Sequence, residues 1–178
     1  MSDPKLLLIS GSLRREATNR KLLAEAARLF GAAEVAWGDL NLPLYDGDFE
    51  AEVGIPAAVQ ALADQIAAAD AVAISTPEYN KGISGVLKNA LDWVSRTEGA
   101  PWAGKPVAVM SAAAGRAGGE QAQTMLRSML VPFGPHLLTA PAVHLAGSSS
   151  AFDEAGRLSS ERYEASVGKL MSALRAAV

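Results

Sequence analysis

The sequence contains no cysteine. That single absence excludes disulfides, thiolate-ligated zinc, iron–sulfur clusters and thiol catalysis. Histidine is nearly as scarce, with only His136 and His144, so no metal site is expected. Long apolar runs are missing as well. Leu6–Ile9 is too short for a signal-peptide core and breaks at once into Gly-Ser-Leu-Arg-Arg, while Ile66–Ile74 and Val107–Ala114 are too short to span a bilayer. The expected location is therefore cytoplasmic, with no membrane partner. Positive charge is not in excess: the net charge is −3, which provides no footprint for nucleic acid. Repeats and low-complexity linkers are absent too. What remains is a 178-residue chain, read as one domain over 1–178 and long enough to bury roughly 70% of the surface it exposes when unfolded. Its own side chains offer little reactive chemistry, so redox or group-transfer activity requires a bound cofactor.

The apolar pattern alternates short continuous runs with amphipathic stripes. Runs at Lys5–Ser10, Glu34–Trp37, Ala71–Ser75, Pro106–Met110 and within Leu137–Leu145 (interrupted by Pro141) read as strands. Asn19–Phe30, Pro56–Ala69, Ser84–Ser95, Gly119–Leu130 and Ser159–Ala177 carry helical stripes. Strands that are apolar throughout are buried on both faces, which marks a parallel sheet covered by helices. Five strands alternating with five helices predict an α/β three-layer sandwich, flavodoxin-like with strand order 2-1-3-4-5 or Rossmann-like. In such a sheet ligands bind outside the carboxyl ends of the strands, where the order reverses. That place is bounded by the loops Gly11–Thr18 and Thr76–Ile83, flanked by Ser111–Gly118.

The first loop runs Ser10-Gly11-Ser12-Leu13-Arg14-Arg15-Glu16-Ala17-Thr18-Asn19. Helix N-terminal amides, hydroxyls and a guanidinium together suit an anion. The loop is neither a Walker A sequence nor a Gly-x-Gly-x-x-Gly fingerprint, so it suits a terminal phosphate better than a bridging pyrophosphate. An alternative is that Thr18 or Asn19 caps the helix and the arginines are merely solvated. In the second loop Pro77 forces the chain out of the sheet and brings Tyr79 and Asn80 to the crevice, a flat face beside amide groups suited to a polar heteroaromatic ring. Tyr79 as a packing aromatic is the alternative there. Lys88, Asn89 and Asp92 on the following helix fit surface or capping roles.

Ser10-Gly11-Ser12-Leu13-Arg14 with Asn19, Thr76-Pro77-Glu78-Tyr79-Asn80, and Gly85-x-Leu87-Lys88-Asn89-Ala90-Leu91-Asp92-Trp93 closely resemble the NAD(P)H-dependent FMN reductases, a flavodoxin-like family that includes quinone, chromate and azo-dye reductases. The resemblance runs from about Lys5 to Gly119. It implies non-covalent FMN as cofactor and NAD(P)H as co-substrate. It places Ser12, Leu13, Arg14, Thr18 and Asn19 around the FMN phosphate, and Pro77, Glu78, Tyr79 and Asn80 along the ribityl chain and isoalloxazine. Ser111, Ala112 and Gly115 would approach the pyrimidine edge, largely through main-chain groups. Ala17 stands where the family usually has Ser and leaves a phosphate bond for Thr18 to supply, while Gly82 and Ser84 stand where relatives often carry Ser and Pro, a change expected to loosen the loop beside the ring. The activity implied is hydride transfer from NAD(P)H through FMN to a small acceptor, whether quinone, azo compound, metal oxyanion or free flavin. No general acid or base is assigned, and the kinetics would be ping-pong. Lys81 and Arg116 would meet the phosphates of NAD(P)H. A homodimer or homotetramer is implied, with the loop Asn41–Ile55 either part of that contact or folded over its own domain. A non-catalytic FMN electron carrier is the alternative function. A phosphorylation-type receiver lacks its carboxylate at Ser75-Thr76-Pro77, and Ser84 lacks the Gly-x-Ser-x-Gly spacing of a hydrolase.

Overall fold

The computed structural model describes residues 3–178; the first two positions of the 1–178 span lie outside the described residues. Five strands, β1 (Lys5–Ser10), β2 (Glu34–Gly38), β3 (Ala71–Thr76), β4 (Pro106–Ala112) and β5 (His136–Leu145), form one parallel sheet in the order β2-β1-β3-β4-β5. The predicted flavodoxin-like architecture and strand order are those observed.

Alternation along the central strands divides the core in two. Leu7, Ile9, Val72, Ile74, Val107 and Val109 point to one face. They meet α3 (Ala57–Ala68), α4 (Gly85–Val94) and α5 (Glu120–Leu130) through Leu62, Ile66, Leu87, Leu91, Leu126 and Leu130. On the other face Ala71, Ala73, Ala108 and Ala112 leave room for the bulkier Leu22, Leu23, Phe30, Leu170, Met171 and Leu174 of α1 (Thr18–Phe30) and α6 (Glu161–Ala176). Small strand residues beneath large helical ones let these two helices sit close without voids.

Three boundaries differ from the sequence-based expectation. A sixth helix, α2 (Gly47–Val53), lies inside the stretch expected to be a loop, Asn41–Ile55. It buries none of its residues and so shows no apolar stripe; the Asp46 side chain caps it by accepting from the Asp48 amide at 2.9 Å. Secondly, neither Thr18 nor Asn19 caps α1, because the capping position is Ala17, which makes no side-chain cap bond. Thirdly, β5 is longer than Leu137–Leu145 and slips register against β4. Ala108 pairs with Leu138 but Met110 pairs with Val143, so Thr139–Ala142, including Pro141, bulge out of the ladder.

Candidate active site

The carboxyl ends of β1, β3 and β4 deliver three loops to one crevice of about 290 Å³. Its walls are Ser12, Arg14, Ala17, Thr18 and Asn19 from the first loop and helix, then Pro77, Glu78 and Tyr79 from the second. Ala112, Ala113 and Ala114 come from the third, and Ser148 from the segment after β5. Eight of the residues expected at the site therefore meet in it. Leu13 lies beside it with half its surface in solvent, and Asn80 and Gly115 are exposed nearby. Ser111 does not line it: fully buried, it donates from Oγ to the Gly118 carbonyl at 2.8 Å.

The two loops at the switch point touch directly. The Gly11 amide donates to the Ser75 carbonyl at 2.8 Å. A Cβ at Gly11 would stand 3.0 Å from Pro77 Cδ and 3.2 Å from Thr76 Cα, so a side chain there would push the loops apart. Buried Ser84 donates to the Gly11 carbonyl at 2.5 Å and fastens the far end of the second loop to the first. Between them Tyr79 and Gly82 exchange amide–carbonyl bonds of 2.9 and 3.0 Å around Asn80 and Lys81, whose φ angles of 51° and 68° form a tight two-residue turn. Gly82 and Ser84 thus sit in a braced loop rather than a loosened one. The turn leaves Tyr79 54% exposed at the crevice, so it is not a core packing aromatic.

Several residues with ligand-like chemistry turn out to hold the frame. Asn19 is buried. Its Nδ2 donates to the Ala112 carbonyl at 3.0 Å, while its Oδ1 accepts from the Ala112 amide at 3.0 Å and from Ser75 Oγ at 2.7 Å. What it can offer the crevice is its main chain. Glu78 turns its carboxylate to the start of α5, accepting from the Gln121 and Ala122 amides at 3.1 and 3.2 Å, a favourable place for negative charge. Asn89 belongs to neither of the surface and capping roles expected of it. Buried on α4, it accepts from the Tyr45 amide at 2.8 Å and donates to the Pro43 carbonyl at 2.9 Å, which also accepts from Trp93 Nε1 at 2.8 Å. Lys88 and Asp92 do form an exposed ion pair at 2.6 Å. On the third loop Gly118 and Gly119 (φ 61° and 85°) let α5 start against β4 and β5. A Cβ on Gly118 would lie 2.6 Å from the His144 carbonyl group.

The side chains left to face the crevice are mainly Ser12, Thr18, Ser148, Arg14 and Tyr79. Arg14 is exposed and forms no ion pair among the described residues. Without a side-chain cap on α1, the Thr18 and Asn19 amides remain available at the same end. One end of the crevice is thus rich in anion donors, and the other is flat and partly apolar. No general acid or base stands out in it. His144, on β5, pairs with Ser111 at the start of the third loop. Burial pushes its imidazole below the ordinary pKa against the pull of Glu120, and Arg127 adds to the lowering. Ser148 is the wall residue that sequence reasoning missed. The available signal was its place in Gly147-Ser148 just after β5, at the same edge of the sheet.

A second, more open hollow of about 620 Å³ adjoins the crevice along α5, with Lys81, Thr124, Met125 and Met129 among its walls. Although larger, it lies along one face of α5 and receives neither the first loop nor the first turn of α1. Among the described residues no group of three or more His, Asp or Glu side chains is placed to hold a metal ion, and no helix is long and apolar enough to cross a membrane.

Residues 4–150 match the family model for NADPH-dependent FMN reductases. An NAD(P)H-dependent FMN reductase from Pseudomonas aeruginosa is 42% identical over 175 residues, covering 97% of this chain and 94% of that protein. A quinone reductase from Escherichia coli K12 is 42% identical over 131 residues, covering 71% of this chain and 69% of its own length. Among solved structures, the flavoenzyme NAD(P)H:(acceptor) oxidoreductase FerB from Paracoccus denitrificans superposes with a TM-score of 0.87 at 30% identity, over 97% of this chain and 96% of that one.

Proposed function

The chain belongs to the NADPH-dependent FMN reductase family, and from that premise we propose that residues 1–178 act as a single FMN-binding domain that carries hydride from NAD(P)H to a small-molecule acceptor. It is an oxidoreductase, in keeping with relatives named FMN reductase and quinone reductase. The observation that carries the cofactor assignment is the division of the 290 Å³ crevice into a donor-rich end and a flat end. Ser12, Arg14, Thr18 and the uncapped amides of Thr18 and Asn19 suit a phosphate dianion. Pro77 and Tyr79 suit a planar ring, and the third loop presents the Ala114 and Gly115 amides to its polar edge. The residues present therefore fit FMN.

Bound there, FMN supplies the two-electron redox chemistry that this chain's side chains lack. The chain's part is placement and electrostatics. Arg14 and the hydroxyls anchor the phosphate end, and the Tyr79–Gly82 turn fixes the slot for the ring. The Ala114 and Gly115 amides, on the loop that Asn19 steadies through Ala112, donate to no protein group among the described residues and would offer fixed dipoles to negative charge there. No proton donor among the side chains is needed for hydride transfer itself. Donor and acceptor share the one open face beside Tyr79, so they occupy it in turn and the kinetics are ping-pong. Lys81 borders the adjoining hollow, where it is placed to meet a nucleotide phosphate; its Nζ lies 3.7 Å from Glu78 Oε1 in a weak ion pair. Quinones, azo compounds, metal oxyanions and free flavin are the acceptor classes proposed.

We also propose assembly into a homodimer or homotetramer through the segment before and along α2. Tyr45 there stacks edge-on to Trp93 with centroids 5.0 Å apart, so part of the segment folds over its own chain. Phe49 also meets Trp93 edge-on at 6.4 Å, while Leu44 and Val53 stay exposed. The deciding experiment is the visible spectrum of the purified protein with FMN titration, followed by NAD(P)H oxidation with a quinone and no protein partner. Flavin absorbance with steady turnover is expected. No flavin band and no FMN uptake would overturn the assignment, whereas FMN binding without turnover would favour a one-partner electron carrier.

A further inference from the structure

We propose that Ser148 is a phosphate-binding residue of the crevice, donating its hydroxyl proton to a phosphate oxygen of the flavin nucleotide; the proposal rests on the FMN assignment above. Ser148 lies 130 positions from Thr18 in the chain, in a run of three serines after β5. Its neighbours Ser149 and Ser150 are exposed, whereas Ser148 is only 5% exposed and forms part of the crevice wall beside Ser12, Arg14 and Thr18. Gly147, in the left-handed region at φ 55°, turns the chain inward at this point. The Ser148 amide donates to the Ala113 carbonyl at 3.2 Å and ties the turn to the third loop.

The hydroxyl's hydrogen bonds leave one capacity unfilled. Thr18 Oγ1 and Ser148 Oγ share one hydrogen bond of 3.2 Å, in which either hydroxyl can be the donor. Neither hydroxyl has another side-chain partner among the described residues, so the pair keeps one proton with no protein acceptor. At the crevice wall a ligand oxygen supplies the acceptor for that proton. Arg14 and the first-turn amides of α1 already make this end attractive to a dianion. The oxygen in question is thereby that of a phosphate, and the hydrogen-bonded Thr18–Ser148 pair presents its spare proton to the anion.

The test compares FMN with riboflavin, which has the ring and the ribityl chain but no phosphate. The full chain, freed of flavin, is titrated with each while flavin fluorescence is followed, for the wild type and for Ser148→Ala. The expected result is FMN affinity weakened about tenfold in the variant, equivalent to about 1.4 kcal/mol, with riboflavin affinity unchanged. Unchanged FMN affinity would overturn the proposal. So would a parallel loss for both flavins, since that reports support of the loop rather than contact with phosphate. Wild-type protein that binds FMN no more tightly than riboflavin would instead overturn the phosphate end of the crevice itself, a failure separate from that of Ser148.

Discussion

Replacing Asn19 by Ala tests whether the crevice is built on side chains that never reach it. The amide group of Asn19 satisfies three partners at once: the Ala112 carbonyl at 3.0 Å, the Ala112 amide at 3.0 Å and Ser75 Oγ at 2.7 Å. Removing it orphans both main-chain groups of Ala112 and the hydroxyl of Ser75. Asn19 is 3% exposed and Ser75 and Ala112 are sealed from solvent. A buried polar group left unpaired costs about 1–3 kcal/mol. With partial relief from water entering the vacated space, the total is about 3 kcal/mol, a large share of the roughly 5–15 kcal/mol that holds a domain folded. Urea unfolding of flavin-free protein, followed by far-UV circular dichroism, should show the midpoint moving to lower denaturant with an unchanged slope. In thermal melts the same loss lowers Tm by about 6–12 °C. The isosteric Asn19→Asp is the sharper companion. It keeps the volume and the acceptor but sets a second oxygen against the Ala112 carbonyl. Its deficit should equal or exceed that of Asn19→Ala at neutral pH and shrink in acid, where the new carboxyl regains a proton to donate. A loss below about 1 kcal/mol for both variants would refute the reasoning, because Asn19 would then be no more than a helix residue.

Arg14→Ala should weaken FMN binding about tenfold to a hundredfold with little effect on riboflavin, since one or two charge-assisted hydrogen bonds are removed; equal losses for both flavins would contradict it. Gly118→Ala should destabilise the loop before α5 by about 2 kcal/mol or more in chemical denaturation, because its φ of 61° and the 2.6 Å approach to the His144 carbonyl leave no place for a Cβ. Glu25 predicts a pH dependence. Burial alone would push its carboxyl up, but Arg28, the Leu158 amide and Arg157 outweigh burial and hold it below its ordinary 4.5. A carboxyl depressed in the folded state stabilises the fold above its ordinary pKa and loses that contribution as pH falls through the folded value. The Tm gap between wild type and Glu25→Gln should therefore be constant near neutrality and narrow below about pH 4.5; a gap that widens in acid would reverse the sign.

The fold was legible in the sequence wherever burial is two-sided or periodic. Leu6–Ile9, Ala71–Ile74 and Val107–Met110 are uninterrupted because both faces of their strands are covered, and helices such as α4 and α6 repeat apolar residues at helical spacing. By contrast, α2 was hidden because it buries nothing and so leaves no stripe; Asp46 ahead of Asp48 and Glu50 was the one local sign, a cap followed by acidic residues. The site was legible as a place, because a parallel sheet of this order puts the first and third loops side by side. The direction in which each side chain turns was not. Asn19 lies 93 positions from Ala112 and Glu78 lies 43 from Gln121, and no local pattern states that their polar groups face one another. Ser148 belongs to no motif and reaches the crevice only because β5 ends at the same edge.

These commitments explain how a chain with no cysteine and two histidines builds a redox site. Asn19 and Ser111 are the type of side chain that serves elsewhere as a ligand, yet both are occupied in fixing main chain: Asn19 holds Ala112 at the end of β4, and Ser111 holds the Gly118 carbonyl. Ser84 and Gly11 do the same between the first two loops. The groups thereby left at the crevice are backbone amides and carbonyls in fixed orientations, with a few hydroxyls and one guanidinium. Fixed dipoles stabilise charge without reorganising when it develops, which is what a cofactor that cycles between charge states requires of its protein. Reactive side chains beside the ring would add competing chemistry and no needed step. The scarcity of such residues and the dense bracing of the loops are thus two sides of one design, in which buried polar side chains place the backbone that would meet the proposed cofactor.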